Sequence, residues 1–156
     1  MSNFIKLLVS IIICQMAGFI GTIFTSDSLT GWYAGLTKPD FNPPNWIFGP
    51  VWILLYFMMG ISLFLVWRED LKNAVVKKAF YVFMIQLIFN ASWSIVFFGF
   101  QSVTGALIII IIFWLLIIYT ILNFLKVSRT SGILLIPYLL WVSFAAILNF
   151  FIFKLN

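Results

Sequence analysis

The chain has 156 residues, of which 64% are hydrophobic, 20% aromatic and only 8% charged, with a mean hydropathy of +1.17. That composition lies outside the range of soluble globular domains and indicates an all-α integral membrane protein. The net charge of +5 does not indicate nucleic-acid binding, because most basic residues sit in short segments between apolar runs, as membrane topology requires. The single cysteine, Cys14, excludes an internal disulfide, and the absence of histidine removes the commonest metal and haem ligand.

A bilayer core about 30 Å thick takes roughly 20 apolar residues per helix, so the chain has room for about five spans in a single bundle and for no soluble domain. A β-barrel would show alternating polarity, whereas Leu107 to Leu122 is apolar on every side. The first span is predicted over 4–24. A cleaved signal peptide built on Lys6 and the Leu7 to Ile13 run is the rival reading, disfavoured because the apolar run continues to Phe24. Ala17, Gly18 and Gly21 give this helix a small-residue face.

Residues 25–44 form the only connection long enough to have a structure of its own, and they are expected to form a structured lid loop. The stretch from Trp32 to Trp52 holds four of the five prolines and three of the seven tryptophans, a rigid aromatic segment. The second span is predicted over 45–67, with Trp46 and Trp67 near its ends as interfacial anchors. The third covers 79–99 and carries Gln86, Asn90, Ser92 and Ser94; the fourth covers 105–125; the fifth, over 133–153, carries Pro137, Tyr138, Trp141, Ser143 and Asn149. Lys6, Arg68, Lys72, Lys77, Lys78, Lys126 and Arg129 fall on the side of the N-terminus, and only Lys38 and Lys154 fall opposite. In a prokaryotic plasma membrane, the expected setting, that asymmetry puts the N-terminus in the cytoplasm. There is no internal repeat of the kind secondary transporters show.

Helical spacing aligns Trp52, Tyr56 and Gly60 on the second span, Gln86 and Asn90 with Trp93 on the third, and Trp141, Ala145 and Asn149 on the fifth. Each face mixes an aromatic ring with a small or amide residue. Ordinary packing explains any one of them; three together, beneath a proline-stiffened loop, point to a pocket for a flat, largely apolar ligand with a few polar edges. Lys38 is the only cation in the loop and is either a partner for a ligand carboxylate or an interfacial snorkelling lysine. No nucleophile and base are paired, so no catalytic residues are assigned, and neither a metal site nor an obligatory cofactor is expected.

These residues resemble the TspO group of tryptophan-rich sensory or translocator proteins, also called peripheral-type benzodiazepine receptors. The resemblance rests on Trp32-Tyr33, Leu36, Lys38-Pro39, Phe41, Pro43-Pro44, Phe48 and Pro50-Val51-Trp52, then Asn90, Trp93 and Phe97-Phe98, then Pro137-Tyr138, Trp141, Phe144-Ala145 and Leu148-Asn149. It implies a five-helix bundle, usually a homodimer, that binds porphyrins such as protoporphyrin IX in a pocket closed by the first loop. By motif position the ligand would be lined by Tyr33, Pro43, Pro44, Trp52, Tyr56, Asn90, Trp93, Trp141 and Ala145. The resemblance also implies two alternatives: light- and oxygen-dependent porphyrin degradation, in which Trp52 and Trp141 would be the residues involved, and transport of porphyrin- or sterol-like molecules. For sterols the Leu, Tyr, Lys pattern is incomplete, because Phe150 stands where Tyr is expected between Leu148 and Lys154.

Overall fold

A computed structural model describes all residues from Met1 to Asn156. It contains helices and connections and no strand: α1 (Asn3–Leu29), α2 (Asn45–Trp67), α3 (Ala74–Ser94), α4 (Val103–Leu125), α5 (Arg129–Leu134) and α6 (Ile136–Leu155). A π-helical turn, Ile95–Gly99, continues α3, and a short 3-10 turn, Tyr33–Gly35, lies in the first connection. Five segments are long and apolar enough to cross a membrane, α5 and α6 together making the last.

Several helices extend past the apolar runs, and polar side chains set the ends. Asn73 Oδ1 accepts the Val75 N–H at 2.9 Å, so α3 starts at Ala74 and not at Ala79. Ser102 and Ser128 cap α4 and α5 in the same way, moving those starts to Val103 and Arg129. At the end of α1 the Thr25 and Ser26 hydroxyls donate back to the Gly21 and Thr22 carbonyls, at 2.8 and 2.9 Å, inside an unbroken helix. The expected lid over 25–44 is therefore shorter: its first residues, through Leu29, are helix. The last span breaks at Leu135, because Pro137 has no N–H to offer the carbonyl four residues before it.

The spans form a ring. α1 packs on α2 and α3, α4 packs on α3 and on α5 and α6, and α2 closes the circle against α5. Glycines set the closest approach: a Cβ at Gly60 would stand 2.6 Å from the Ile11 Cα. The Ser62 hydroxyl donates to the Ser131 carbonyl at 2.6 Å and ties α2 to α5 near the N-terminal end of the bundle. Towards the lid, α2 and α6 have little contact. The main core, which includes Met59, Leu63, Phe83, Phe113, Phe124 and Tyr138, fills the end of the bundle away from the lid, while a smaller one around Tyr33, Phe97, Ala106, Leu148 and Ile152 lies under the lid. Exposed Phe, Leu and Ile side chains ring the outside, as a lipid-facing surface requires.

The lid is fastened to the far end of the chain. The Asn156 side chain donates to the Thr37 carbonyl at 2.8 Å and accepts the Thr37 N–H at 3.0 Å, while Phe41 packs edge-on against Phe151 with centroids 5.4 Å apart. Asn156→Ala removes both polar bonds. We expect hydrogen exchange at the Thr37 amide to quicken by about 10-fold, the equivalent of one exposed hydrogen bond; exchange at the parent rate would mean the fastening is idle.

Candidate functional site

Where α2 and α6 diverge, a cavity of about 570 Å³ opens under the lid. Its walls come from four spans and the first connection. α2 contributes Phe48, Trp52, Ile53 and Tyr56; α3 and its π turn contribute Trp93, Phe97 and Phe98; α6 contributes Trp141, Ala145, Leu148 and Asn149; and Tyr33 descends from the lid. The rings are ordered against one another. Trp52 stacks on Tyr56 with centroids 5.4 Å apart and planes at 26°, and Trp93 stacks on Phe97 at 5.2 Å with the same angle. Trp141 meets Phe48 edge-on at 5.9 Å. The wider π turn brings the consecutive residues Phe97 and Phe98 both to the cavity, and both pack against Tyr33.

The fourth wall is α1, through Gln15, Gly18, Gly21, Thr22, Thr25 and Ser26. Sequence reasoning read the glycines as a helix-packing surface and missed the wall. The legible signal was the hydroxyl residues at 22, 25 and 26 on the same side as Gly18 and Gly21. Those hydroxyls donate to carbonyls of their own helix, so towards the cavity they present only lone pairs. On the opposite wall neither indole N–H is free towards the cavity: that of Trp93 donates to Asn149 Oδ1 at 3.0 Å, and the Trp141 nitrogen is fully buried without a partner. No lining residue is charged.

Six of the ten residues expected at a ligand site line this cavity: Tyr33, Trp52, Tyr56, Trp93, Trp141 and Ala145. Four do not. Asn90 lies behind the wall, where its Oδ1 accepts the Tyr56 O–H and its Nδ2 donates to the Tyr138 oxygen at 2.8 Å; Tyr138 in turn donates to Gln86 Oε1 at 2.8 Å. Lys38 turns back on the lid, its ammonium donating to the carbonyls of Tyr33 at 2.8 Å and Leu36 at 3.0 Å and lying 4.7 Å from the centre of the Tyr33 ring. It secures the 3-10 turn that lowers Tyr33 into the cavity. Pro43 and Pro44 stand outside the lining, with extended backbone at Pro44 (ψ 142°) leading into α2. Tyr33 is held by an O–H bond to Asn42 Oδ1 at 3.1 Å, and burial pushes its phenol above the ordinary range.

Fold and cavity together define the class: an integral membrane protein of five spanning helices with an aromatic cavity inside the bundle, beneath a structured loop. The chain belongs to the TspO/MBR family, whose family model matches residues 10–155. It is 46% identical over 154 residues to the tryptophan-rich protein TspO of Archaeoglobus fulgidus, covering 99% of both chains. To the tryptophan-rich protein TspO of Chlorobaculum tepidum it is 44% identical over 144 residues, covering 92% of this chain and 91% of the relative. Against the human translocator protein the identity is 36% over 141 residues, 88% of this chain and 82% of the relative.

Proposed function

We propose that the protein is a membrane receptor or sensor that binds porphyrins of the protoporphyrin IX type, and related planar hydrophobic molecules, in the cavity beneath the lid. The observation that carries this reading is the set of ordered aromatic faces, Trp52 on Tyr56 and Trp93 on Phe97, around a space of about 570 Å³ without a charged side chain. A flat ring system gains dispersion against such faces, and the hydroxyl and amide groups of Gln15, Thr22 and Thr25 in the lining can meet polar groups on its edge. The porphyrin's carboxylates stay at the mouth, beside the exposed Ser26 and Asn45, because nothing inside the cavity neutralises them.

The test is a fluorescence titration of the purified protein with protoporphyrin IX. Trp52→Ala and Trp141→Ala should each weaken binding roughly 30-fold, the cost of truncating a central aromatic contact. An affinity unchanged in the double variant, with helix content and melting behaviour intact, would remove this cavity as the binding site. Light-driven porphyrin degradation is the second reading, favoured by two oxidisable indoles, Trp52 and Trp141, in the wall. It requires that product exceed protein in amount and that Trp52→Phe stop turnover; bleaching accompanied by stoichiometric damage to the protein rejects it. A prokaryotic plasma membrane with the N-terminus in the cytoplasm, an orientation supported by the seven basic residues on the N-terminal side, and the homodimer that the family resemblance implies complete the proposal.

A further inference from the structure

At the opposite end of the bundle from the lid, where α2 stops at Trp67 and α3 starts at Ala74, the surface is hollowed into a depression of about 650 Å³. Its rim carries Lys6, Arg68, Lys72 and Lys77 together with Glu69 and Asp70. The acids are already engaged. Glu69 pairs with Arg68 at 3.5 Å, and Asp70 Oδ1 accepts the backbone N–H of Lys72 at 2.9 Å, which shapes the turn. No carboxylate lies within ion-pairing distance of Lys6, Lys72 or Lys77, and with four cations against two carboxylates the depression carries a net positive charge. Lys6 is partly buried and is held in place, its ammonium donating to the Trp67 carbonyl at 3.2 Å at the negative end of α2; two of its three N–H groups remain for a ligand.

We propose that this depression is a binding site for the phosphodiester headgroup of an anionic phospholipid. The location selects a lipid: the depression lies at the ends of two spanning helices, at the level where Trp67 would anchor in the headgroup region, so a lipid can place its phosphate among the ammonium groups while its chains remain in the bilayer. The charge selects an anionic headgroup over a zwitterionic one, because the four cations around the depression outnumber its two carboxylates. The basic connection at Lys126 and Arg129 has the same sign of charge but does not line the depression, which makes it an internal control.

The experiment is native mass spectrometry of the delipidated protein offered equal amounts of phosphatidylglycerol and phosphatidylcholine. One phosphatidylglycerol retained per chain is expected. Lys72→Gln/Lys77→Gln should weaken that retention by about 25-fold, about 5-fold for each charge removed, whereas Lys126→Gln/Arg129→Gln should retain the lipid as the parent does. Both altered lysines are exposed and bond to nothing else in the fold through their side chains, so the variant keeps its structure; an unchanged thermal transition verifies this. Equal losses in the two variants would show diffuse surface attraction and overturn the site. So would equal retention of phosphatidylcholine, or displacement of the lipid by millimolar inorganic phosphate, which would point to a site for soluble phosphate. None of these outcomes depends on whether the cavity at the other end takes a porphyrin.

Discussion

Gly60→Ala should destabilise the protein in detergent micelles by about 1–3 kcal/mol, the usual cost of forcing a methyl group into closed packing, while Gly49→Ala leaves stability unchanged or slightly improved. Both glycines lie on α2, so helix propensity favours alanine equally at the two positions. What separates them is the neighbour. At Gly60 the new Cβ would meet the Ile11 backbone, Cα at 2.6 Å and N at 3.0 Å, and backbone cannot rotate away as a side chain can. At Gly49 nothing stands within 4 Å. The clash at Gly60 has to be relieved by moving α1 off α2, and these two helices are also walls of the cavity, so ligand affinity should fall with stability. Thermal unfolding followed by circular dichroism compares the pair directly, and identical transitions would contradict the close approach described here.

The second large effect is expected at Asn90. Its amide joins three helices: it accepts from Tyr56 on α2 and donates to Tyr138 on α6, which donates back to Gln86 on α3. Asn90→Leu keeps the volume but deletes two of these bonds and leaves the Tyr56 hydroxyl without an acceptor in a site that is 3% exposed. An orphaned buried hydroxyl costs about 1–3 kcal/mol in water-soluble proteins. Polar pairs inside membranes average about 0.6 kcal/mol, because the unfolded chain in lipid also finds partners, so we expect about 1–2 kcal/mol. Adding Tyr56→Phe removes the orphan, and the double variant should then recover part of the loss. Strict additivity of the two single changes in a double-mutant cycle would show that the bond does not couple the helices.

The same amide shows how residue patterns and tertiary geometry divide the information. Spacing places Gln86 and Asn90 on one helical face and turns that face inward, since amides are costly in lipid. Whether Asn90 faces a ligand or backs a residue that does is a matter of one side-chain length, and Tyr56 occupies the intervening space. Lys38 is a parallel case. Its position in the loop is compatible with a ligand contact, yet once the 3-10 turn forms, three carbonyls converge on its ammonium and hold it within the lid. Carbonyl convergence depends on backbone conformation and has no trace in residue order. The α1 wall was hidden for another reason: Gly, Thr and Ser at helical spacing serve equally for close packing and for lining a cavity, and only the divergence of the neighbouring helices decides between them.

Residue order by itself determined the membrane setting, the number of spans and the rigid aromatic character of the first connection, because those follow from hydropathy, run length and the stiffness of proline, all local properties. Helical periodicity also brought Trp52, Tyr56, Trp93, Trp141 and Ala145 to inward faces that share one space, but it set beside them Asn90, which lies behind its partner Tyr56, and Tyr33 joined them only through the family resemblance. The tertiary structure decided where each helix ends, because capping side chains override the apolar runs, and decided which helices separate. That separation is set by where backbones can touch, at Gly60 against Ile11 below the cavity and by little contact between α2 and α6 above it. A cavity is the volume left by such contacts, so its walls are known only once the helices are packed.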